Sequence, residues 1–359
     1  MVMPASADAF EIAGRRIGAG VPCFVIAEAG VNHNGNLDLA HRLVDVAADS
    51  GSDAVKFQTW ITEDICARNA VQAEYQKRSC GEESQFDMLK RLELPFSWHA
   101  ELKAHAEERG VVFLSTPDDL VSARFLCDLG VPAIKIGSAE LTNLPHLASL
   151  AVMNRPLILS TGMADTEQIA DALGAIRSAR PSCQVVILHC VSAYPAPEEE
   201  MNLRCIATLR ARFGIPTGLS DHTVGSLAAT LGAALGMSIY EKHLTLDRRM
   251  PGPDQSASTE PAEFASIVTN IRKAERMLGT GIKSLAVAEA GTVAAVQRVL
   301  VYTRDLEREH VMASGDLKPL RSNGTGLGPS EMPRVIGTRL KRDVSAWSVA
   351  SDQDFVHAG

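Results

Sequence analysis

Ser238-Ile239-Tyr240-Glu241-Lys242-His243-Leu244-Thr245 is a strand-like run that turns from apolar to ionisable at Glu241. It follows a small apolar run, reaches Asp247, and breaks at Pro251-Gly252-Pro253-Asp254. In a strand, alternate side chains share a face, so Glu241, His243 and Thr245 point one way and Lys242 the other. About twenty residues earlier, Ser220-Asp221-His222-Thr223 closes another short apolar run that starts at Pro216. Taken singly, each histidine reads as a satisfied core or rim residue. On neighbouring strand ends, two neutral imidazoles can grip one divalent ion.

Working outward, eight such apolar runs appear: Phe24–Glu28, Ala54–Gln58, Val111–Thr116, Ala133–Ser138, Leu157–Thr161, Val185–His189, Pro216–Ser220 and Ser238–His243. Helical spacing fills most gaps between them, as in Asn36 to Ser50, where Leu37, Ala40, Leu43, Val44 and Ala47 share a face. Strand and helix alternating eight times, with strands apolar on both faces, predict a (β/α)8 barrel. A doubly wound open sheet is the alternative, and the count of eight disfavours it. The expected boundaries are an N-terminal extension over 1–20, the barrel over 21–282, a linker over 283–292, and a small, mostly β domain over 293–359.

In a barrel of this kind the C-terminal strand ends carry the chemistry. The ends here offer Glu28; Lys56 and Gln58; Thr116; Lys135 with Ser138; Ser160; His189, Ser192 and Tyr194; Ser220 with His222; and Glu241 with His243. A lysine inside an apolar strand is costly without an anion. Lys56 and Lys135 therefore pair either with barrel carboxylates or, together with the hydroxyls, with a phosphate and a carboxylate of a ligand. Glu28 stands in an apolar neighbourhood that raises its pKa, which suits a general acid or base. Two protein ligands are poor for a structural metal site and reasonable for a Lewis acid.

Bulk properties exclude several classes. A net charge of -8 leaves no electrostatic footprint for nucleic acid and no basic face for a membrane. The seven cysteines show no zinc-ribbon or Cys-x-x-Cys spacing, so reduced thiols and a cytoplasmic setting are expected. Neither a signal peptide nor a membrane span is legible. A Walker loop is absent, so a nucleoside triphosphate is not indicated.

The residues resemble the sialic acid (N-acetylneuraminate) synthase family. The likeness is carried by Ile26-Ala27-Glu28-Ala29-Gly30-Val31-Asn32-His33-Asn34-Gly35, Asp53-Ala54-Val55-Lys56-Phe57-Gln58-Thr59 and Ile134-Lys135-Ile136-Gly137-Ser138. It continues through Leu159-Ser160-Thr161-Gly162-Met163, Leu188-His189-Cys190, Tyr194-Pro195, Gly218-Leu219-Ser220-Asp221-His222-Thr223, Glu241-Lys242-His243 and Gly252-Pro253-Asp254. It spans residues 20 to 280, and the tail is similar to the family's antifreeze-like (SAF) domain. The resemblance implies condensation of phosphoenolpyruvate with an N-acylated amino sugar aldehyde to a nine-carbon 2-keto acid, with release of phosphate. It implies His222 and His243 as ligands of Mn2+ or Mg2+. Lys56, Thr116, Lys135, Ser138, Ser160 and Ser220 would hold phosphoenolpyruvate, and Glu28, Gln58, Tyr194 and Asp254 would line the sugar. A domain-swapped homodimer is also implied, with Arg321 of one chain reaching the N-acyl group in the other.

Three positions depart from that family's pattern. Ser192 stands where asparagine is usual and remains a candidate phosphate contact. Arg321-Ser322-Asn323-Gly324 lacks the proline of an Arg-Pro motif. Glu307-Arg308-Glu309-His310 replaces an expected turn glycine after Asp305-Leu306. These bear on the acceptor more than on the barrel: N-acetylmannosamine, its 6-phosphate, and the 6-deoxy diacetamido sugars leading to legionaminic or pseudaminic acid all remain open. A simple aldose phosphate and a catalytically silent carbohydrate-binding role are the readings outside that set.

Overall fold

In the computed structural model the described residues are 10–72, 77, 84–322 and 325–356, and the chain divides into two compact units, Met1–Gly279 and Thr280–Gly359. Among the described residues no helix is long and apolar enough to cross a membrane.

The first unit is built on one parallel sheet of eight strands: β1 (Phe24–Gly30), β2 (Ala54–Thr59), β3 (Val112–Pro117), β4 (Ile134–Ile136), β5 (Leu157–Ser160), β6 (Val185–Cys190), β7 (Thr217–Asp221) and β8 (Ile239–His243). Hydrogen bonds run in the order β3-β2-β1-β8-β7-β6-β5-β4, so the first strand pairs with the last and the sheet curls into a barrel. Its two end strands, β3 and β4, are consecutive in the chain and meet at the seam. The (β/α)8 reading therefore holds and the open sheet does not.

Each strand leads to an outer helix: α1 (Leu37–Asp49), α2 (Phe96–Glu108), α3 (Leu120–Leu129), α4 (Leu144–Ala151), α5 (Thr166–Ala179), α6 (Cys205–Phe213), α7 (Leu227–Ala234) and α8 (Pro261–Leu278), with the shorter helices Thr62–Ile65 and Gln85–Leu92 between β2 and α2. Their starts are written locally. Asn36 accepts from the Leu39 N–H, Asp119 from Ser122, and Asp165 forms a capping box with Gln168, which satisfies donors a helix start leaves open. The buried face of α1 is Ala40, Leu43, Val44 and Ala47, four of the five residues its spacing predicts.

Inside the barrel the side chains change character along the strands. At the N-terminal end Phe24, Ile26, Ala54, Leu114, Ala133, Ile158, Val186, Leu188 and Ile239 form one apolar cluster. Ile12 and Ile17 complete it from a hairpin, Phe10–Ile12 paired with Arg15–Ile17, that belongs to the segment expected as an extension. Both isoleucines are almost fully buried. The hairpin is therefore a plug in the barrel floor, and two three-residue strands are too short to show a period of two. At the other end the inward residues are Glu28, Lys56, Thr116, Lys135, Ser160, Ser220 and Glu241, all nearly inaccessible.

The second unit packs Leu300, Tyr302, Leu306, Met312, Leu317, Leu340, Val344 and Phe355 around the antiparallel pair β9 (Arg298–Tyr302) and β10 (Leu317–Arg321). A short helix, Ala290–Val296, occupies the start of the region expected to turn into strands. The turn that lacks its glycine places Glu309 at φ 69°, a left-handed backbone that costs a side-chain-bearing residue about 1 kcal/mol or more. Asn323 and Gly324 of the altered Arg321 motif, and Cys80, lie outside the described residues.

Candidate active site

Glu241 sits at the centre of the polar end. Its Oε1 accepts from Ser220 Oγ at 3.0 Å and lies 3.4 Å from Lys135 Nζ, while its Oε2 is 3.7 Å from Lys56 Nζ. Lys56 also pairs with Glu28 Oε2 at 2.7 Å and donates to Thr116 Oγ1 at 2.8 Å. Lys135 donates to Ser160 Oγ at 2.8 Å, and Gln58 Nε2 donates to Glu28 Oε1 at 3.0 Å. Residues from β1, β2, β3, β4, β5, β7 and β8 thus form one connected net. The lysines rest on the barrel's own carboxylates, one of the two partner sets the sequence left open.

Burial splits the two acids. Glu28 is raised because desolvation outweighs Lys56. Burial pushes Glu241 up as well, but Lys135 and Lys56 together hold it down at about 2. The difference matches two tasks: a carboxyl that can carry a proton and a fixed anion that organises cations. Lys135 is lowered by its burial, and Lys56, with two carboxylates at hand, is raised against the same burial penalty.

The two imidazoles stand on one side of this net, ring centroids 5.4 Å apart, with Tyr194 against His222 at 4.2 Å. His222 Nδ1 donates to the Val191 carbonyl at 2.8 Å, which leaves Nε2 facing the mouth; burial disfavours its charge, but Cys190 and that carbonyl raise its pKa above the ordinary histidine value. His243 is held far below the usual histidine range by burial and by His222, hence neutral, and its buried Nδ1 has no hydrogen-bond partner among the described residues. Asp254 Oδ2 lies 3.7 Å from that nitrogen, and burial lifts its carboxyl to about 6. Among the described residues no three His, Cys, Asp or Glu side chains converge tightly enough to hold an ion alone. Two facing imidazoles, that of His243 neutral and with an orphaned nitrogen, fit a divalent cation that would complete its shell from water and substrate.

A third cluster faces Gly162. Its N–H donates to Ser138 Oγ at 3.0 Å, and Cys190 Sγ lies 3.7 Å from Ser138 Oγ and 4.0 Å from Ser192 Oγ. A Cβ on Gly162 would stand 2.2 Å from Ser192 Oγ and 2.8 Å from Ser138 Oγ. Only glycine lets those hydroxyls approach the backbone, which makes a small concavity of donors.

Thirteen sequence-predicted site residues therefore share the barrel mouth: Glu28, Lys56, Gln58, Thr116, Lys135, Ser138, Ser160, Ser192, Tyr194, Ser220, His222, His243 and Asp254. Arg321 is exposed at the end of β10, in the other unit. His189 turns outward and meets the Met201 carbonyl at 2.6 Å, so it is no part of the site. Glu241 was legible as a neighbour of His243 but not as the hub, because the sequence does not reveal which carboxylate two lysines share.

Residues 43–283 match the NeuB family model. The chain belongs to the NeuB family. It is 43% identical to the N,N'-diacetyllegionaminic acid synthase of Legionella pneumophila over 92% of this chain and 93% of that protein. It is 42% identical to the synthase of the same name from Campylobacter jejuni, over 84% of this chain and 91% of that one. The solved N-acetylneuraminic acid synthetase of Leptospira borgpetersenii superposes with a TM-score of 0.70 at 32% identity, covering 79% of this chain and 95% of that chain. The family match falls almost wholly on the unit that carries the mouth just described.

Proposed function

We propose that this NeuB family enzyme condenses phosphoenolpyruvate with the open-chain form of an N-acylated amino sugar, giving a nine-carbon 2-keto acid and phosphate. The observation that carries the reading is the gathering of Lys56, Lys135, four strand-end hydroxyls and two facing imidazoles at one rim of one barrel. Lysines that rest on Glu28 and Glu241 can turn to an arriving phosphate and carboxylate at little cost in geometry, because hydroxyls already flank them. Thr116, Ser160 and Ser220 supply that flank, and Ser138, Ser192 and the Gly162 N–H extend it.

A divalent cation, Mn2+ or Mg2+, held by His222 and His243 would supply Lewis acidity toward a carbonyl oxygen. The proton steps fall to Glu28. As the bond forms between C3 of phosphoenolpyruvate and the aldehyde carbon, the Glu28 carboxyl donates its proton to the aldehyde oxygen. As carboxylate it then accepts a proton from the water whose oxygen adds at C2. The C2–O bond to phosphate breaks, the new C2 hydroxyl becomes the ketone, and its proton leaves with phosphate. Gln58 fixes the rotamer of Glu28, and Tyr194 and Asp254 border the side on which the sugar lies. Arg321 of a second copy would reach the N-acyl group in a homodimer.

The acceptor is best read as a diacetamido sugar, since relatives above 40% identity over most of the chain are N,N'-diacetyllegionaminic acid synthases. The test is an acceptor panel with phosphoenolpyruvate and Mn2+, reading phosphate release and product mass. A 2,4-diacetamido-6-deoxy hexose is expected to outrun N-acetylmannosamine. No phosphate release with any N-acylated amino sugar would remove the reading.

A further inference from the structure

Alternation along β7 and β8 turns Ser220, His222, Glu241 and His243 toward the barrel interior and leaves Asp221 and Lys242 on the opposite face, toward the outer helices. That face is apolar. Leu219 and Tyr240, the outward residues just before them, pack with Ala229 of α7 and with Phe264 and Ile267 of α8. Asp221 and Lys242 are themselves almost fully buried. Taking such a pair out of water is costly, and a well-packed apolar pair would hold the layer at least as well. The proposed chemistry uses neither residue, so the pair calls for a reason other than stability.

Lys242 and Asp221 face each other in the last register pair of the β7–β8 ladder. His222 and His243 follow one residue later on each strand, so the imidazoles stand just past the point where the ladder holds the strands together. Lys242 carries the tie onward. Its Nζ donates to Asp221 Oδ2 at 2.9 Å and to the Thr223 carbonyl at 2.6 Å, the residues on either side of His222. Asp221 Oδ1 accepts from the Thr223 N–H and hydroxyl, both at 2.8 Å, and Oδ2 also accepts from the Tyr240 hydroxyl at 2.7 Å. The turn that bears His222 is thus closed on itself and fastened to β8 at the residue before His243. His222 has further ties, its ring to the Val191 carbonyl and its own carbonyl to the Ala196 N–H at 2.9 Å. The His243 ring has fewer: its Nδ1 finds no hydrogen-bond partner among the described residues, so its place follows from its backbone. That backbone is held by Lys242 on one side, and on the other by the Leu244 N–H bond to the Glu28 carbonyl at 2.7 Å.

We propose that Asp221 and Lys242 are a positioning pair, a bolt behind β7 and β8 that sets the gap between the His222 and His243 rings to fit one divalent cation. The inference rests on the functional reading above and adds to it the residues that shape the metal site from outside the mouth. A site with two protein ligands depends on both rings standing ready, because water and substrate complete the shell and cannot draw the strands together. The rings are 5.4 Å apart, centroid to centroid, with the bolt in place. Without it the two strand ends relax separately and the rings lose their common spacing. Glu241 and Ser220, one step inside the ladder, keep theirs.

The test titrates Mn2+ into the full-length protein without substrates, reading free Mn2+ by electron paramagnetic resonance, with thermal unfolding recorded alongside. Lys242→Met should weaken Mn2+ binding at least about tenfold, the lower end of what removing an outer support of a metal ligand costs. That variant also leaves Asp221 a buried, unpaired charge, so its melting midpoint should fall. Asp221→Asn combined with Lys242→Met removes the stranded charge; it should regain much of the midpoint and still bind Mn2+ weakly, because nothing then donates to the Thr223 carbonyl from β8. Should Lys242→Met fail to fold, the double variant decides. Tyr240→Phe takes one bond from Asp221 but spares the bolt, so it should lower the midpoint and leave Mn2+ affinity at the wild-type value. Wild-type affinity in Lys242→Met or in the double variant overturns the proposal. So does Tyr240→Phe weakening Mn2+ as much as Lys242→Met, since affinity would then merely follow stability. A wild type that binds Mn2+ with every variant its equal sinks this inference alone; a wild type that binds none sinks the metal pair of the functional reading along with it.

Discussion

Replacing Glu241 by alanine removes the anion that Lys135 and Lys56 share at 3.4 and 3.7 Å. At an effective dielectric of about 20, each contact is a gross attraction of about 4–5 kcal/mol. Most of that offsets the cost of taking three charges out of water, and what is lost on breaking such a buried pair is about 3–5 kcal/mol. The loss falls unevenly. Lys56 keeps Glu28 and Thr116, whereas among the described residues Lys135 keeps only Ser160 and the Ile136 carbonyl as hydrogen-bond partners. For a domain of this size, roughly 2–4 °C per kcal/mol translates the loss into a midpoint lowered by roughly 6–20 °C. The assay is thermal unfolding of wild type, Glu241→Ala, Lys135→Met and the double variant. The double variant should regain about 1–3 kcal/mol of coupling relative to the sum of the singles. The pH dependence supplies an internal check. Glu241 is held at about 2, below its unfolded value of about 4.3, so its contribution is fully present above the unfolded pKa and fades as pH falls toward 2. Glu28, raised by burial, acts in the opposite sense, losing stability as pH rises past its unfolded value. The acid limb of the wild type should therefore be steeper than that of Glu241→Ala. A variant within about 1 kcal/mol of wild type, or a double variant at the plain sum of the singles, would refute the shared-anion account.

His222→Ala and His243→Ala should each lower phosphate release by more than about 100-fold while far-UV circular dichroism and the melting midpoint stay near wild type, since neither ring belongs to the apolar core; full activity of either after chelation would count against the metal pair. Gly162→Ala puts a methyl 2.2 Å from Ser192 Oγ and 2.8 Å from Ser138 Oγ, so KM for phosphoenolpyruvate should rise at least about tenfold with about 1–3 kcal/mol of lost stability. Unchanged KM would show that the two hydroxyls lie off the anion's path. Ile17→Ala, in the plug at the far end of the barrel, should cost about 2–5 kcal/mol in urea unfolding and leave kcat unaltered.

The site was legible where local sequence dictates geometry. Period-two alternation put Glu241 and His243 on one face, and the structure places both inward. Lys56 and Lys135 stood out because a lysine between apolar strand residues needs an anion. His189 was misread because it is one residue short of Cys190, and a shift of one along a strand turns a side chain from the mouth to the outer face. The helix α4 went unread between two runs that were, and the hairpin plug was taken for an extension.

The sequence alone determined the eightfold alternation, the caps that start the helices, and the chemical types delivered to the strand ends, because each depends on residues a few positions apart. Tertiary structure alone decided which carboxylate two lysines share, which histidine nitrogen is left without a partner, and that Ile12 and Ile17 seal the floor. Those outcomes depend on the pairing of β1 with β8 and on the meeting of β3 with β4. Closure brings together residues more than two hundred positions apart, and only then does burial assign each titratable group its charge.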